Sequence, residues 1–373
     1  MTRSEQLAWT LILPGPLDRL TGGTIYDRRM VEGARAAGDD VAVISLPGTY
    51  PEGLSDADRA AASAALARAA ESLTAESQAA RSTGNAAVVI DGLVLSALRD
   101  ELVAFGARHR WIALVHHPVS EEPGIAEARR AVVRGAELAA IAAARSVICT
   151  SAFTARVLRT AGVSGERIRV VEPGVDLPAA DGGAGPGRDQ ARPLRLLCVA
   201  NLMERKGLDV LFTALAGLRG RWRLTLVGSA DHEPQTAAAL VARADGLGIG
   251  DRIDRVGTVA SDRLSALYRD ADLFVFPSRY EGYGMVLTEA AAHGLPIVTT
   301  DGGAIPDTVR ELTADVVPVG DDAAFAAGVQ RYLDDPEYRT RRRAAADAKI
   351  SRLTRWDQAV ARFRDAIREG TAS

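Results

Sequence analysis

F-P-S-R-Y-E-G-Y-G-M-V-L-T-E-A-A-A-H-G-L-P, running from Phe276 to Pro296, reads as the end of a strand, a glycine-containing loop, a helix opening near Gly284 and a Gly-Pro stop. A strand that feeds a Gly loop and then a helix is the first half of a βαβ unit, the building block of a parallel sheet with helices on its faces. On one continuous helix Glu281 and Glu289 would lie about 80° apart around the axis. With Gly282 and Gly284 between them, Glu281 falls in the loop and Glu289 on the helix. Two carboxylate acceptors then flank a helix N-terminus, which suits a ligand with hydroxyl groups at both ends and an anion in the middle.

Outward from this unit the same alternation fills the chain. Short apolar β-rich runs at Leu194–Ala200, Arg223–Val227, Arg252–Val256, Asp272–Pro277, Pro296–Thr300 and Asp315–Val319 are separated by stretches of helical period. An equivalent series precedes them at Ala8–Leu13, Asp40–Leu46, Ala86–Asp91, Trp111–His116, Ser146–Thr150 and Arg167–Val171, with helices including Thr24–Ala37, Ser55–Arg81 and Ile125–Arg145. Residues 178–193 are rich in Gly and Pro and have little to bury, so they read as a linker. The fold class is therefore α/β with two Rossmann-like domains, residues 1–177 and 194–350. Trp356, Val360, Phe363 and Ile367 stripe a last helix over Ser351–Arg368, and residues 351–373 are assigned to the first domain.

Bulk properties narrow the function classes. At 373 residues, with 47% hydrophobic and 25% charged side chains, the chain has the composition of an ordered protein of about two domains. Its net charge of −3 supplies no overall field for a nucleic-acid backbone. Cys149 and Cys198 lie in apolar strand-like runs, which suggests buried thiols and a reducing cytoplasm, not a disulfide framework or a metal site. No stretch approaches the ~20 apolar residues of a spanning helix, and the first residues do not read as a signal peptide.

Ligands of open α/β sheets bind beyond the carboxyl ends of strands, and this sorts the remaining motifs. Asp270-Ala271-Asp272 precedes its strand and reads as a helix-to-strand turn instead of a metal-holding D-x-D; Gly246-Leu-Gly-Ile-Gly250 follows a helix and reads as its cap. Gly22 and Gly23 follow the first strand and open a helix, where backbone N–H groups can meet a phosphate or sugar. His116 and His117 end the fourth strand, His116 placed as hydrogen-bond donor or acid/base. Arg205 and Lys206 follow the first strand of the second half and suit neutralisation of a departing diphosphate.

These residues resemble the family-4 retaining glycosyltransferases of the GT-B fold. The resemblance is carried by Glu281-x7-Glu289 within E-G-Y-G-M-V-L-T-E-A-A-A-H-G-L-P, by R-K-G at 205–207, by V-E-P-G-V-D at 171–176 and by the Gly22-Gly23 loop. It implies two domains facing across a cleft, with the last helix crossing back to the first domain. It implies that Glu289 binds ribose hydroxyls, Glu281 holds donor-sugar hydroxyls, and the backbone at Gly284, Met285 and Val286 meets the diphosphate, with Tyr283 and Leu287 beside it. Lys206 and Arg205 become the clamp on the leaving group. Asn201 stands five positions before Lys206, where the family often has arginine, and Arg205 would supply that guanidinium. Gly257, Thr258 and Val259 match the loop beside the nucleotide base, and Gly228 belongs to the same donor side. His116 matches the histidine near the donor sugar, while Tyr26, Asp91 and His117 are assigned to the acceptor side.

The resemblance also implies retention of anomeric configuration, a nucleotide diphosphate sugar as co-substrate, and neither a metal nor another cofactor. UDP and GDP donors stay open, as does a metabolite, saccharide or lipid acceptor. Competing readings are an epimerase or hydrolase of GT-B shape and a non-catalytic sugar-nucleotide-binding protein. Arg19, Arg28, Arg29, Arg129, Arg130 and Arg134 read either as solvated helix faces or as a basic face for peripheral contact with the inner membrane surface.

Overall fold

A computed structural model describes residues 6–51, 54–79, 86–178 and 192–371. The chain divides into two compact units, Met1–Gly174 with Thr354–Ser373, and Val175–Leu353. The linker reading falls mostly on residues 179–191, outside the described residues.

The first unit runs β1 (Ala8–Pro14), α1 (Gly22–Ala36), β2 (Asp40–Leu46), α2 (Asp56–Ala79), β3 (Ala86–Asp91), α3 (Arg99–Gly106), β4 (Ile112–Val115), α4 (Glu127–Ala143), β5 (Ser146–Cys149), α5 (Ala152–Thr160) and β6 (Ile168–Val170). All pairings are parallel, in the order β2-β1-β3-β4-β5-β6. The order reverses between β1 and β3, so the loops after those strands open the crevice where such sheets hold ligands.

The second unit runs β7 (Leu194–Val199), α6 (Leu208–Ala216), β8 (Trp222–Val227), α7 (Pro234–Gly246), β9 (Ile253–Gly257), α8 (Ser261–Asp270), β10 (Leu273–Phe276), α9 (Met285–Ala292), β11 (Ile297–Thr300), α10 (Ile305–Thr308), β12 (Ala314–Val317), α11 (Asp322–Asp334) and α12 (Pro336–Asp347). Its parallel order β12-β11-β10-β7-β8-β9 reverses between β7 and β10. Arg205-Lys206 and Glu281 stand on the two loops that leave those strands. Asp272, just before β10, is sequestered: Arg192 grips both its carboxylate oxygens at 2.7 and 2.9 Å, and the Arg195 amide donates to it at 2.9 Å. That accounts for the D-x-D as a fold clamp.

The last helix, α13 (Trp356–Thr371), starts at the first residue of its apolar stripe, five residues later than the Ser351 expected. Residues 350–352 make a separate 3-10 turn, and Gln358 reaches back to accept the Arg355 N–H at 3.0 Å, half of a capping box. α13 belongs to the first unit, burying Val360, Phe363 and Ile367 in one cluster with Tyr26, Met30 and Val31 of α1. The two helices approach closely at Gly33, where a Cβ would lie 2.4 Å from a Val360 methyl. Gly33→Leu is therefore expected to lower stability by about 2 kcal/mol or more in urea unfolding through overpacking. An unchanged midpoint would mean that α13 does not rest on α1.

Candidate functional site

In the second unit the loops after β7 and β10 are stitched together by main chain. The Arg279 N–H donates to Arg205 O at 2.9 Å, and a Cβ on Gly207 (φ +65°) would sit 2.3 Å from Pro277 O. On its other side the Glu281 backbone bridges Gly303, its carbonyl accepting the Ala304 N–H at 2.8 Å, and Thr308 donates to Tyr283 O at 2.6 Å. The loop is thus held from both flanks, which fixes where its side chains point.

Within it, Lys206 Nζ donates to Glu281 Oε1 at 2.6 Å, and Ser278 Oγ donates to the same oxygen at 2.6 Å. Arg205 Nη1 donates to Tyr280 O at 2.5 Å and stands 3.5 Å from Glu281 Oε2. Burial would raise the Glu281 carboxyl, but Lys206 and Arg205 outweigh it and bring it down to about 2. Burial also lowers the Lys206 ammonium, opposed by Glu281. Two cations against one carboxylate leave the group one positive charge in excess, largely removed from water, where it acts strongly on an anion.

Helix α9 begins beside this cluster. Gly284 takes φ +90°, and the Leu287 N–H is already turned back on Gly284 O at 2.9 Å. Met285 and Val286 precede that first closed turn, so their amides belong to the set a helix leaves for an anion. The Leu287 side chain is fully buried in the core, and its N–H closes that first turn. Glu289, one helical turn further along α9, accepts from Tyr268 Oη at 2.9 Å, and Tyr268 stacks on His293. Its carboxylate is thereby oriented.

The remaining donor-side residues lie on the loops after β7 and β8 and at or just after the end of β9. Asn201 Oδ1 accepts the Ser229 N–H at 3.0 Å, tying the loops after β7 and β8 together, so it does not stand in for a cationic side chain. Gly228 has no room for a Cβ, which would come 2.0 Å from Ala200 O. Gly257 ends edge strand β9 and, with Thr258, lies exposed; Val259 is half-buried.

In the first unit, Thr21 caps α1 by accepting the Thr24 N–H, so Gly22 and Gly23 form the first residues of the helix. His116 stands against them: a Cβ on Gly23 would meet its ring at 3.1 Å. His116 Nε2 lies 3.1 Å from Asp27 Oδ1 and 3.5 Å from Asp91 Oδ2. Among the described residues Asp27, Asp91 and His116 are the one group of three or more His, Cys, Asp or Glu gathered within 4.8 Å. Asp91 is buried and also caps the turn after β3 through the Leu93 N–H at 2.6 Å, so it does not face an acceptor as expected. Tyr26 is likewise corrected: it is 1% exposed and donates to Val171 O at 2.9 Å, a core residue between α1 and α13. His117 turns to Glu122 at 2.7 Å.

The arginines read as a basic face are partly spoken for. Arg130 bonds the carbonyls of Ser120, Glu122 and Ile125, Arg134 pairs with Glu121, and Arg29 lies over the Trp356 ring. Among the described residues no helix is long and apolar enough to cross a membrane. Cys149 and Cys198 are buried, and burial pushes both thiols up to about 12. Sequence reading passed over Asp27 and Ser278. A charged residue one turn after Gly23, within the stripe of Tyr26, Met30 and Ala34, was the signal for the first; Ser278 three residues before Glu281 was the signal for the second.

Comparison with known proteins bears on both units. Residues 193–335 match the family model described as glycosyl transferases group 1, and residues 91–178 match that of glycosyltransferase family 4. The chain is 31% identical over 298 residues to D-inositol 3-phosphate glycosyltransferase of Acidothermus cellulolyticus, the match covering 70% of this chain and 64% of that protein. It is 30% identical over 285 residues to the protein of the same name from Xylanimonas cellulosilytica, covering 71% and 68%. The chain thus spans about two thirds of the length of these curated relatives. Its fold is similar to sucrose-phosphate synthase from Thermosynechococcus elongatus, with TM-score 0.76 at 22% identity over 97% of this chain and 98% of that one.

Proposed function

The chain belongs to the family-4 glycosyltransferases of the GT-B fold, and on that premise we propose that it moves a sugar from a nucleoside diphosphate sugar to a hydroxyl acceptor with retention of anomeric configuration. The observation that carries the reading is the Arg205–Lys206–Glu281 cluster beside the first turn of α9, a net cation next to unclosed helix amides at the β7/β10 crossover. A diphosphate placed there meets Lys206, Arg205 and the Met285 and Val286 amides. Glu289 takes the ribose hydroxyls, and Glu281 Oε2 accepts from a hydroxyl of the sugar while Oε1 keeps Lys206 in place.

In the transfer the bond between the anomeric carbon and the diphosphate oxygen breaks through an oxocarbenium-like state. The acceptor oxygen bonds to the same face, and its proton passes to the departing phosphate oxygen. The charge that grows on the diphosphate is met by Lys206, Arg205 and the positive end of α9, so the reaction is expected to proceed in EDTA. The names of the relatives favour an inositol phosphate as the first acceptor to try.

The test is incubation with UDP- and GDP-sugars and inositol phosphates in EDTA, reading the product's anomeric coupling by NMR. An inverted product would refute retention, and loss of turnover on chelation would refute the metal-free reading. Glu289→Ala is expected to weaken nucleotide binding by about tenfold or more in calorimetry, the loss of hydrogen bonds to a charged acceptor. Unchanged affinity would remove Glu289 from the nucleotide site.

A further inference from the structure

His116 is usually the residue one would assign to proton transfer, yet its surroundings constrain it to a different task. We propose that Asp27 and Asp91 are positioning residues that grip His116 by its Nε2 edge and so present Nδ1–H as a fixed hydrogen-bond donor to a substrate oxygen docked at the ends of β1, β3 and β4. The nature of that substrate, a hydroxyl- or phosphate-bearing sugar compound, rests on the transferase reading; the geometry of the ring does not.

Every side of the residue except one is occupied. Nε2 faces Asp27 Oδ1 at 3.1 Å and Asp91 Oδ2 at 3.5 Å. Gly23 lies against the Cδ2–Nε2 edge, and the Tyr26 ring meets the imidazole edge-on with centroids 5.4 Å apart. The main-chain carbonyl is fixed by Thr150 Oγ1 at 3.1 Å and Thr154 Oγ1 at 3.3 Å. Nδ1 has no hydrogen-bond partner among the described residues, and the side chain keeps 17% of its surface open. The ring is therefore clamped at one nitrogen and available at the other.

The protonation state follows from the same contacts. A neutral imidazole that donates from Nε2 leaves Nδ1 as a bare acceptor; only the doubly protonated ring donates from both. Burial disfavours that cation, but Asp27 and Asp91 outweigh burial and raise His116 to about 10. Asp91 is held ionised, since the His116 contact and the Leu93 amide overcome its burial. Asp27 is raised by burial to about 7 even with His116 pulling it back, and its buried Oδ2 has no hydrogen-bond partner among the described residues. The other titratable neighbours, Tyr26 on α1 and Cys149 on β5, are both pushed up by burial and stay neutral. At neutral pH His116 is thus a cationic donor and not a general base.

The experiment follows the histidine rings of the full chain by 15N and 13C NMR from pH 5.5 to 8.5, with His116 assigned by its loss in His116→Gln. The wild-type ring is expected to keep both protons throughout that range, showing at most a small shift step near pH 7 as Asp27 titrates beside it. Asp27→Asn and Asp91→Asn should each bring its midpoint down, toward the ordinary ~6.5. In transfer assays each variant should lose at least tenfold in kcat at pH 8 and recover several-fold near pH 6, where the ring regains its proton, while wild type shows no such recovery toward acid. Should Asp91→Asn fail to fold for want of its turn cap, Asp27→Asn and Asp27→Glu carry the test. A wild-type His116 that loses its own proton between pH 6 and 7, or variants whose profiles keep the wild-type shape, would overturn the proposal. The NMR result is independent of turnover, so a clamped, protonated ring in a protein that transfers no sugar would count against the transferase reading alone.

Discussion

Glu281→Ala is expected to take sugar transfer below detection while changing nucleotide affinity by no more than a few-fold. On the proposed reading the carboxylate does two things that the nucleotide does not need: it would offer Oε2 to the sugar, and through Oε1 it fixes Lys206 at 2.6 Å. Its removal leaves an ammonium and a guanidinium without their counter-ion in a largely buried place, so stability should also fall, by about 3 kcal/mol for a broken buried pair. Glu281→Gln keeps the shape and separates the two effects: transfer should still fall by about 10²-fold or more. Acid unfolding gives a second check. The folded carboxyl titrates near 2 against an ordinary 4.5, so its stabilising contribution is complete above pH 4.5 and disappears as pH falls toward 2. The stability gap between wild type and Glu281→Gln should close over that window; a constant gap would mean that the pair does not form.

Lys206→Met should behave differently, because on the proposed reading the lysine meets the diphosphate itself. Methionine keeps the stem's packing near Phe276 and removes the charge. With only Arg205 left, kcat is expected to fall about 10²- to 10³-fold, the usual loss when one fixed group on developing charge is removed, and the affinity for nucleoside diphosphate should fall with it. The Glu281 carboxyl, deprived of its nearest cation, should rise from about 2. Unchanged diphosphate affinity in calorimetry would place the anion elsewhere in the unit.

The strands of the two sheets were legible because each is a short β-rich run, the central ones apolar and buried on both faces and the edge strands β2, β9 and β12 partly exposed. Their ends moved by a residue where a polar side chain takes over: His116 and Thr150 leave the sheet for the loops they anchor. Strand order was not legible, since nothing local in β3 says that it lies beside β1 and not β2. At the site, Lys206 and Glu281 stood out because both follow strands, and the order of the second sheet then brought those strands together. Tyr26 was misplaced because its neighbours at 22–24 drew attention to the loop, while its own register with Met30 and Ala34 puts it on the buried face of α1. Asn201 and Gly228 sit where a ligand contact was expected, but the tight crossing of the β7 and β8 loops uses both for backbone support.

The central claim is that the second unit holds a nucleoside diphosphate at Lys206 and the start of α9. Thermal unfolding of wild type and Lys206→Met with UDP, GDP and their sugars tests it most directly, because a ligand that binds only the folded protein raises stability by RT ln(1 + [L]/Kd). The account predicts a rise for wild type with one base in preference to the other, and little or none for Lys206→Met. No shift for wild type with any member of the panel, or equal shifts for both proteins, would contradict it.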